Sequence, residues 1–138
     1  MANANLPSSL APLVAISLGY WPQVTADVAD AAVKRLVPFA GRVHRVTGHA
    51  RAIGGGTPYT DVDVDVYLGT TKIATVPVVD GSAIAGSGKG VDATLLVSGS
   101  SLEFASGAML HMKLIDVTGG ASTPTLDGLE IVVWVERS

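Results

Sequence analysis

The chain reads as an all-β protein built as an antiparallel sandwich or barrel, and three observations carry that expectation. The stretch Asp61-Val62-Asp63-Val64-Asp65-Val66 alternates polar and apolar residues without a break, the period of a strand with one buried face. Leu129-Glu130-Ile131-Val132-Val133-Trp134-Val135 is a second run rich in β-branched and aromatic residues. Clusters of Gly, Ser, Thr and Pro separate such runs and punctuate the chain into strands and turns.

Residues 1–13 contain Pro7 and Pro12, with Leu6, Leu10 and Leu13 among small and polar residues. Proline removes a backbone donor and fixes φ, so this segment is expected to be an extended N-terminal arm whose leucines suit docking on a neighbour. Residues 14–138 then form one domain. Ala31 to Ala40 reads as a strand reaching a turn at Gly41, a short helical turn over Thr25 to Ala32 being the other option. Arg42 to Ile53 follows as a strand, with Arg45, Thr47, His49 and Arg51 on one face and Val46, Gly48, Ala50 and Ala52 on the other. Val43 breaks that parity, which places a bulge near His44.

The loop Gly54 to Tyr59 turns the chain into the strand Asp61 to Leu68, and Leu68 to Lys72 is a tight turn. Lys72 to Val79 is a strand that Pro77 confines to an edge or a bulge. Asp80 to Gly90, rich in Gly and Ser, is expected to be a loop. Strands follow over Asp92 to Val97, Leu102 to Phe104 and Met109 to Val117, then a loop over Thr118 to Gly128 and a last strand from Leu129 to Glu136. A count of about eight strands between turn signals fits a sandwich or a barrel.

Composition narrows the function classes. The 138 residues suffice for one core and not for two domains of ordinary size. Hydrophobic residues make up 48% of the chain and charged residues 15%. A typical soluble domain has roughly 25% charged residues, so part of this surface is expected to be covered by partners. A net charge of −3 without a basic stripe argues against nucleic acid as a partner. The absence of cysteine removes disulfides, thiolate metal sites and a Cys nucleophile. Leu10 to Trp21, the longest apolar stretch, is interrupted by Pro12 and Ser17 and is too short to span a bilayer. Met1 to Asn5 carries no basic n-region of a secretory signal, so a soluble chain made in the cytoplasm is expected, with no membrane partner.

Motifs that could carry chemistry fall short of their requirements. Asp61, Asp63 and Asp65 match the first, third and fifth positions of a calcium loop, but Val66 stands where glycine must make the turn and Lys72 where a bidentate glutamate belongs. On a strand the outer two carboxylates would lie roughly 13 Å apart, too far to share an ion. A hairpin through the Gly-rich loop would instead pair Arg51 with Asp61 and His49 with Asp63 on the solvent face. Gly86-Ser87-Gly88-Lys89-Gly90 lacks both the leading glycine and the hydroxyl residue of a phosphate loop and reads as a flexible connection. His44, His49 and His111 have no metal-ligand spacing and are expected to face solvent. No Gly-x-Ser-x-Gly elbow occurs, so neither catalytic residues, metal ligands nor a cofactor are expected, and the chain is read as a non-enzyme. Among the aromatics, Tyr20 and Trp21 follow the arm, and Trp134 shares a strand face with Glu130, Val132 and Glu136, which favours partial exposure at an interface. Trp21 suits either core or interface.

Several runs together carry a family resemblance. Leu36-Val37-Pro38-Phe39-Ala40-Gly41-Arg42-Val43 precedes the alternating strand Asp61 to Tyr67 and the turn Leu68-Gly69-Thr70. Leu102-Glu103-Phe104-Ala105-Ser106-Gly107-Ala108 comes later, and Ser17 to Tyr20 with Val24 to Asp27 fits the opening region. This pattern resembles small jelly-roll structural proteins of tailed bacteriophages, which include head decoration proteins and fibre or tail-associated modules. The resemblance implies a jelly-roll-like antiparallel β-sandwich with an N-terminal arm laid on a neighbour. It further implies a homotrimer that binds the major capsid protein and cements the shell of the virion. Leu6, Pro7, Leu10, Tyr20, Trp21 and Trp134 are the residues expected to meet partners, and a receptor- or carbohydrate-binding module on a fibre or tail is the alternative role.

Overall fold

The computed structural model describes residues 13–24, 34–54, 62–80, 83–84, 90–115 and 125–138. In chain order the strands are β1 (Leu13–Val24), β2 (Lys34–Val37), β3 (Gly41–His49), β4 (Ala52–Gly54), β5 (Val62–Leu68) and β6 (Thr71–Asp80), then β7 (Ala83–Ile84), β8 (Val91–Asp92), β9 (Thr94–Leu95), β10 (Glu103–Phe104), β11 (Ala108–Ile115) and β12 (Thr125–Arg137). They form two sheets of six strands packed face to face, an antiparallel β-sandwich. The first sheet runs β1-β12-β3-β10, with β4 on β12 and β8 on β3. The second runs β2-β11-β5-β6-β7, with β9 on β6.

Alternation along each strand builds the core. Val62, Val64, Val66 and Leu68 of β5 and Leu110, Met112 and Leu114 of β11 point into the sandwich, where they meet Val43 and Val46 of β3 and Leu129, Ile131, Val133 and Val135 of β12. Each such side chain removed from water contributes about 1.5–3 kcal/mol, and branched aliphatics fill a pleated surface without polar atoms to satisfy. The second sheet presses close on Gly48 through Val76. A Cβ there would lie 2.5 Å from Ile131 Cδ1 and 2.8 Å from Val76 Cγ1, so only glycine fits beneath the facing strand.

The expected bulges are present. Trp134 pairs with Arg45 and Val135 with Val43, leaving His44 as the extra residue of β3, so His44 and Arg45 both face outward. On β6, Asp63 pairs with Pro77 and Val62 with Val79, so the ladder slips beside the proline that cannot donate to it.

Other expectations are corrected. Chain from β4 to β5 passes from one sheet to the other and makes no hairpin: His49 faces Glu130, while Asp63 faces Pro77 and Ile115. The expected strand over Asp92 to Val97 is two short pieces on different sheets, β8 and β9. Between them the Ala93 amide donates to the Val46 carbonyl, and the Leu96 amide donates to the Ile73 carbonyl. The expected loop over Asp80 to Gly90 contains β7. The last strand begins at Thr125, inside the expected loop, because Gly128 adopts φ 67° and carries the ladder through a position that reads as a break. A 3-10 turn over Gly99–Leu102 replaces the start of the expected third-last strand. Of Ala31 to Ala40 only Lys34–Val37 is a strand, with Ala31 to Val33 outside the described residues. Leu13, assigned to the arm, opens β1 opposite Glu136.

Closure at Gly48 is testable by urea unfolding. Gly48→Ala is expected to lower stability by about 1–3 kcal/mol through overpacking. Gly90→Ala, where a Cβ meets nothing within 4 Å, should stay within about 0.5 kcal/mol of the parent.

Candidate assembly surface

Strand β1 lies at the end of the first sheet: one side pairs with β12, and no described strand pairs with the other. Its twelve residues, LVAISLGYWPQV, include no charge. Edge strands are ordinarily blunted by lysine, proline or bulges, because their unpaired amides and carbonyls template pairing with another chain. Here the blunting devices sit at the far end, Pro22 and a bulge between Ser17 and Tyr20, and Leu13 to Ser17 is regular.

That bulge decides the fate of the aromatic pair. Ser17 pairs with Val132 and Tyr20 with Glu130, so β1 carries one residue more than β12 across this interval, and Gly19 supplies it at φ 114°. The Ser17 hydroxyl fixes the geometry by accepting from the Gly19 amide at 3.1 Å and donating to Glu130 Oε2 at 3.1 Å. The inserted residue inverts the parity beyond it. Tyr20 is thereby sent outward, 58% exposed, and Trp21 inward, where it packs against the core. Trp21 is partly buried in that contact with the core.

Trp134 lies outward on β12, half-buried between Ala15 of β1 and Arg45 of β3. Its Nε1 donates to Thr47 Oγ1 at 2.9 Å, and the Arg45 guanidinium carbon stands 5.5 Å from the ring centroid. Arg45 in turn places Nε 3.0 Å and Nη2 2.9 Å from Asp92 Oδ1. His44 Nε2 meets Glu136 Oε2 at 2.6 Å. These polar residues therefore hold one another across β3, β8 and β12, and the apolar strip of Leu13, Ala15 and Tyr20 is left on the β1 side. Tyr20 and Trp134 share this face but stand two outward rows apart. Leu6, Pro7 and Leu10 lie outside the described residues. The exposed Ala15 was missed as a surface contributor; the absence of any charged side chain from Met1 to Ala26 was the available signal.

The remaining polar candidates are absorbed elsewhere. His111 is buried on the outer side of the second sheet, contrary to the solvent-facing expectation, because Tyr67 stacks on it with centroids 5.0 Å apart and the turn at Gly69 covers it. Its Nε2 lies 2.5 Å from the Gly69 carbonyl oxygen, and its buried Nδ1 has no partner. Asp65 is also buried rather than solvent-facing. It accepts from Thr75 Oγ1 at 2.8 Å and lies 3.6 Å from Lys72 Nζ. Among the described residues, no three His, Asp or Glu side chains gather where they could hold a metal ion. No helix of the described residues is long and apolar enough to cross a membrane.

An open groove of about 590 Å³ at one end of the first sheet is lined by Arg42, Ser100, Glu103, Phe104, Glu136 and Arg137 among others. Its two serines, Ser100 and Ser138, have no histidine beside them in that lining, although His44 pairs with Glu136 of the rim. No protein-family model, curated protein or solved structure matches this chain. The functional reading therefore rests on the surface itself.

Two substitutions separate the partly buried contact from the exposed one. Thr47→Val removes the acceptor of the indole N–H and is expected to cost about 1 kcal/mol. Asp92→Ala, which breaks a pair whose side chains are 52% and 66% exposed, should cost well under about 1 kcal/mol. Urea titration of both variants ranks them.

Proposed function

We propose that the protein is a structural component of a tailed-phage virion, a head decoration protein that binds the major capsid protein and stabilises the shell. In this reading it is not an enzyme and needs no cofactor. It is made in the host cytoplasm and ends on the capsid surface as a homotrimer. The observation that carries the proposal is the uncharged edge of β1, a regular run from Leu13 to Ser17 on a strand that exposes Leu13, Ala15 and Tyr20. A surface of this kind suits pairing with protein and offers nothing to a small polar substrate.

The strand order supports the same reading. Counting the long strands and β10 in chain order as one to eight, the sheets run 1-8-3-6 and 2-7-4-5. In our reading this order corresponds to the double Greek key of a jelly roll, an architecture used by viral capsid and lectin domains. The work of such a protein is mechanical. Each contact is small, and linking several copies raises the effective concentration of the next, so a weak edge contact becomes a durable one on a repeating lattice. The alternative of a receptor- or carbohydrate-binding module on a fibre or tail draws less support, because the Arg45 guanidinium covers a face of Trp134 that a sugar would need.

Light scattering of the purified protein tests the proposal. The parent chain is expected to have the mass of a trimer, and Ala15→Lys or Leu13→Lys, each placing a charge on the edge, should yield folded monomers with unchanged circular dichroism. A parent chain that stays monomeric at every concentration would contradict the trimer and favour the binding-module role.

A further inference from the structure

The second sheet has its own open edge, and its chemistry differs from that of β1. Strand β2 ends the order β2-β11-β5-β6-β7 and pairs only with β11 among the described residues. Leu36 lies opposite Met109 and Lys34 opposite His111, without a register slip, so all four belong to the outer face. Leu36 is 64% exposed and Met109 39%, forming an adjacent apolar pair on the surface. Lys113 is the next outward residue of β11, as shown by the burial of Leu110, Met112 and Leu114 on the opposite face. It is diagonal to Lys34, so the two lysines leave the sheet about 7–8 Å apart.

These cations are not consumed internally. Lys34, Arg35 and Lys113 have no carboxylate partner among the described residues, and all three are exposed. Asp65, the carboxylate across from Lys113, is buried and engaged by Thr75 and Lys72. Lys34 and Lys113 therefore share the outer face at this edge of a chain whose net charge is −3, while Arg35, opposite the inward Leu110, leaves from the other face. Local positive charge beside exposed leucine and methionine, on an otherwise acidic protein, marks a surface selected by its occupant's charge rather than by general solubility.

We infer that the β2–β11 edge docks an acidic, extended segment of a partner protein, which adds to β2 as a strand. Its carboxylates would meet Lys34 directly and Lys113 through the reach of that long side chain, and an apolar side chain would settle against Leu36, which Met109 backs on β11. A phosphate backbone fits less well, because it would leave the exposed Leu36 and Met109 without a role. A separate observation carries this site from the one behind the β1 edge, and it stands or falls independently of the trimer.

Fluorescence anisotropy with labelled probes tests it on the full chain. A short peptide of alternating glutamate and leucine is expected to bind in a salt-sensitive manner, and the matching lysine–leucine peptide should not bind. Reversing both charges with Lys34→Glu and Lys113→Glu should weaken binding about tenfold or more. Leu36→Ser should weaken it with the charges intact, and Ala15→Lys, on the other sheet, should leave it unchanged. Equal binding of the two peptides, or no loss in the charge-reversed variant, would overturn the proposal. Stronger capture by phosphatidylserine vesicles or duplex DNA than by the acidic peptide would overturn it in favour of that other anionic partner.

Discussion

Thirteen residues of β12 pair with β1 along one side and with β3 and β4 along the other, and this two-sided pairing fixes which side chains can face the second sheet. With β12 held in register, Leu129, Ile131, Val133 and Val135 point inward, while Glu130, Val132 and Trp134 point outward. A slip of one residue would exchange the two sets and bury the glutamates, so the register is strongly specified. The same pairing leaves β1 outermost, which is why an apolar strand of twelve residues ends with one side unpaired.

Much of this was legible in the sequence, and the parts that were not have identifiable causes. The parity of β3, the bulge at His44 and the slip beside Pro77 follow from local rules of side-chain alternation and proline chemistry. Sheet assignment does not. Nothing in the residues between β4 and β5 distinguishes a hairpin from a crossing between sheets, because both need only a flexible Gly-rich connection, and the choice is made by how the strands on each side share one core. For the same reason Asp92 to Val97 looks continuous, although its halves serve different sheets. Asp65 and His111 illustrate the converse: each sits at an outward position of an alternating strand, and each is buried by neighbours on adjacent strands, which no periodicity records.

The residue types that carry chemistry in enzymes are used structurally here. Ser17 fixes a bulge, Thr47 and Arg45 hold Trp134, Thr75 and Lys72 satisfy Asp65, and His111 ties the Gly69 turn to β11. Buried polar groups satisfied in this way, the Asp65 carboxylate above all, stiffen the sandwich, since an unpaired one costs about 1–3 kcal/mol. Among the described residues two sheet edges of unlike chemistry stand out, the uncharged β1 and the basic β2. A rigid plate with two edges of unlike chemistry is suited to joining neighbours in an assembly.

Amide hydrogen exchange across a range of protein concentrations addresses the central claim directly, because it reports on the edge itself. If β1 is an assembly edge, those amides of Leu13 to Leu18 that point away from β12 will exchange quickly in dilute protein and become protected as concentration rises, while the amides paired to β12 stay protected throughout. Outer-edge amides whose exchange is the same at every concentration would contradict the account.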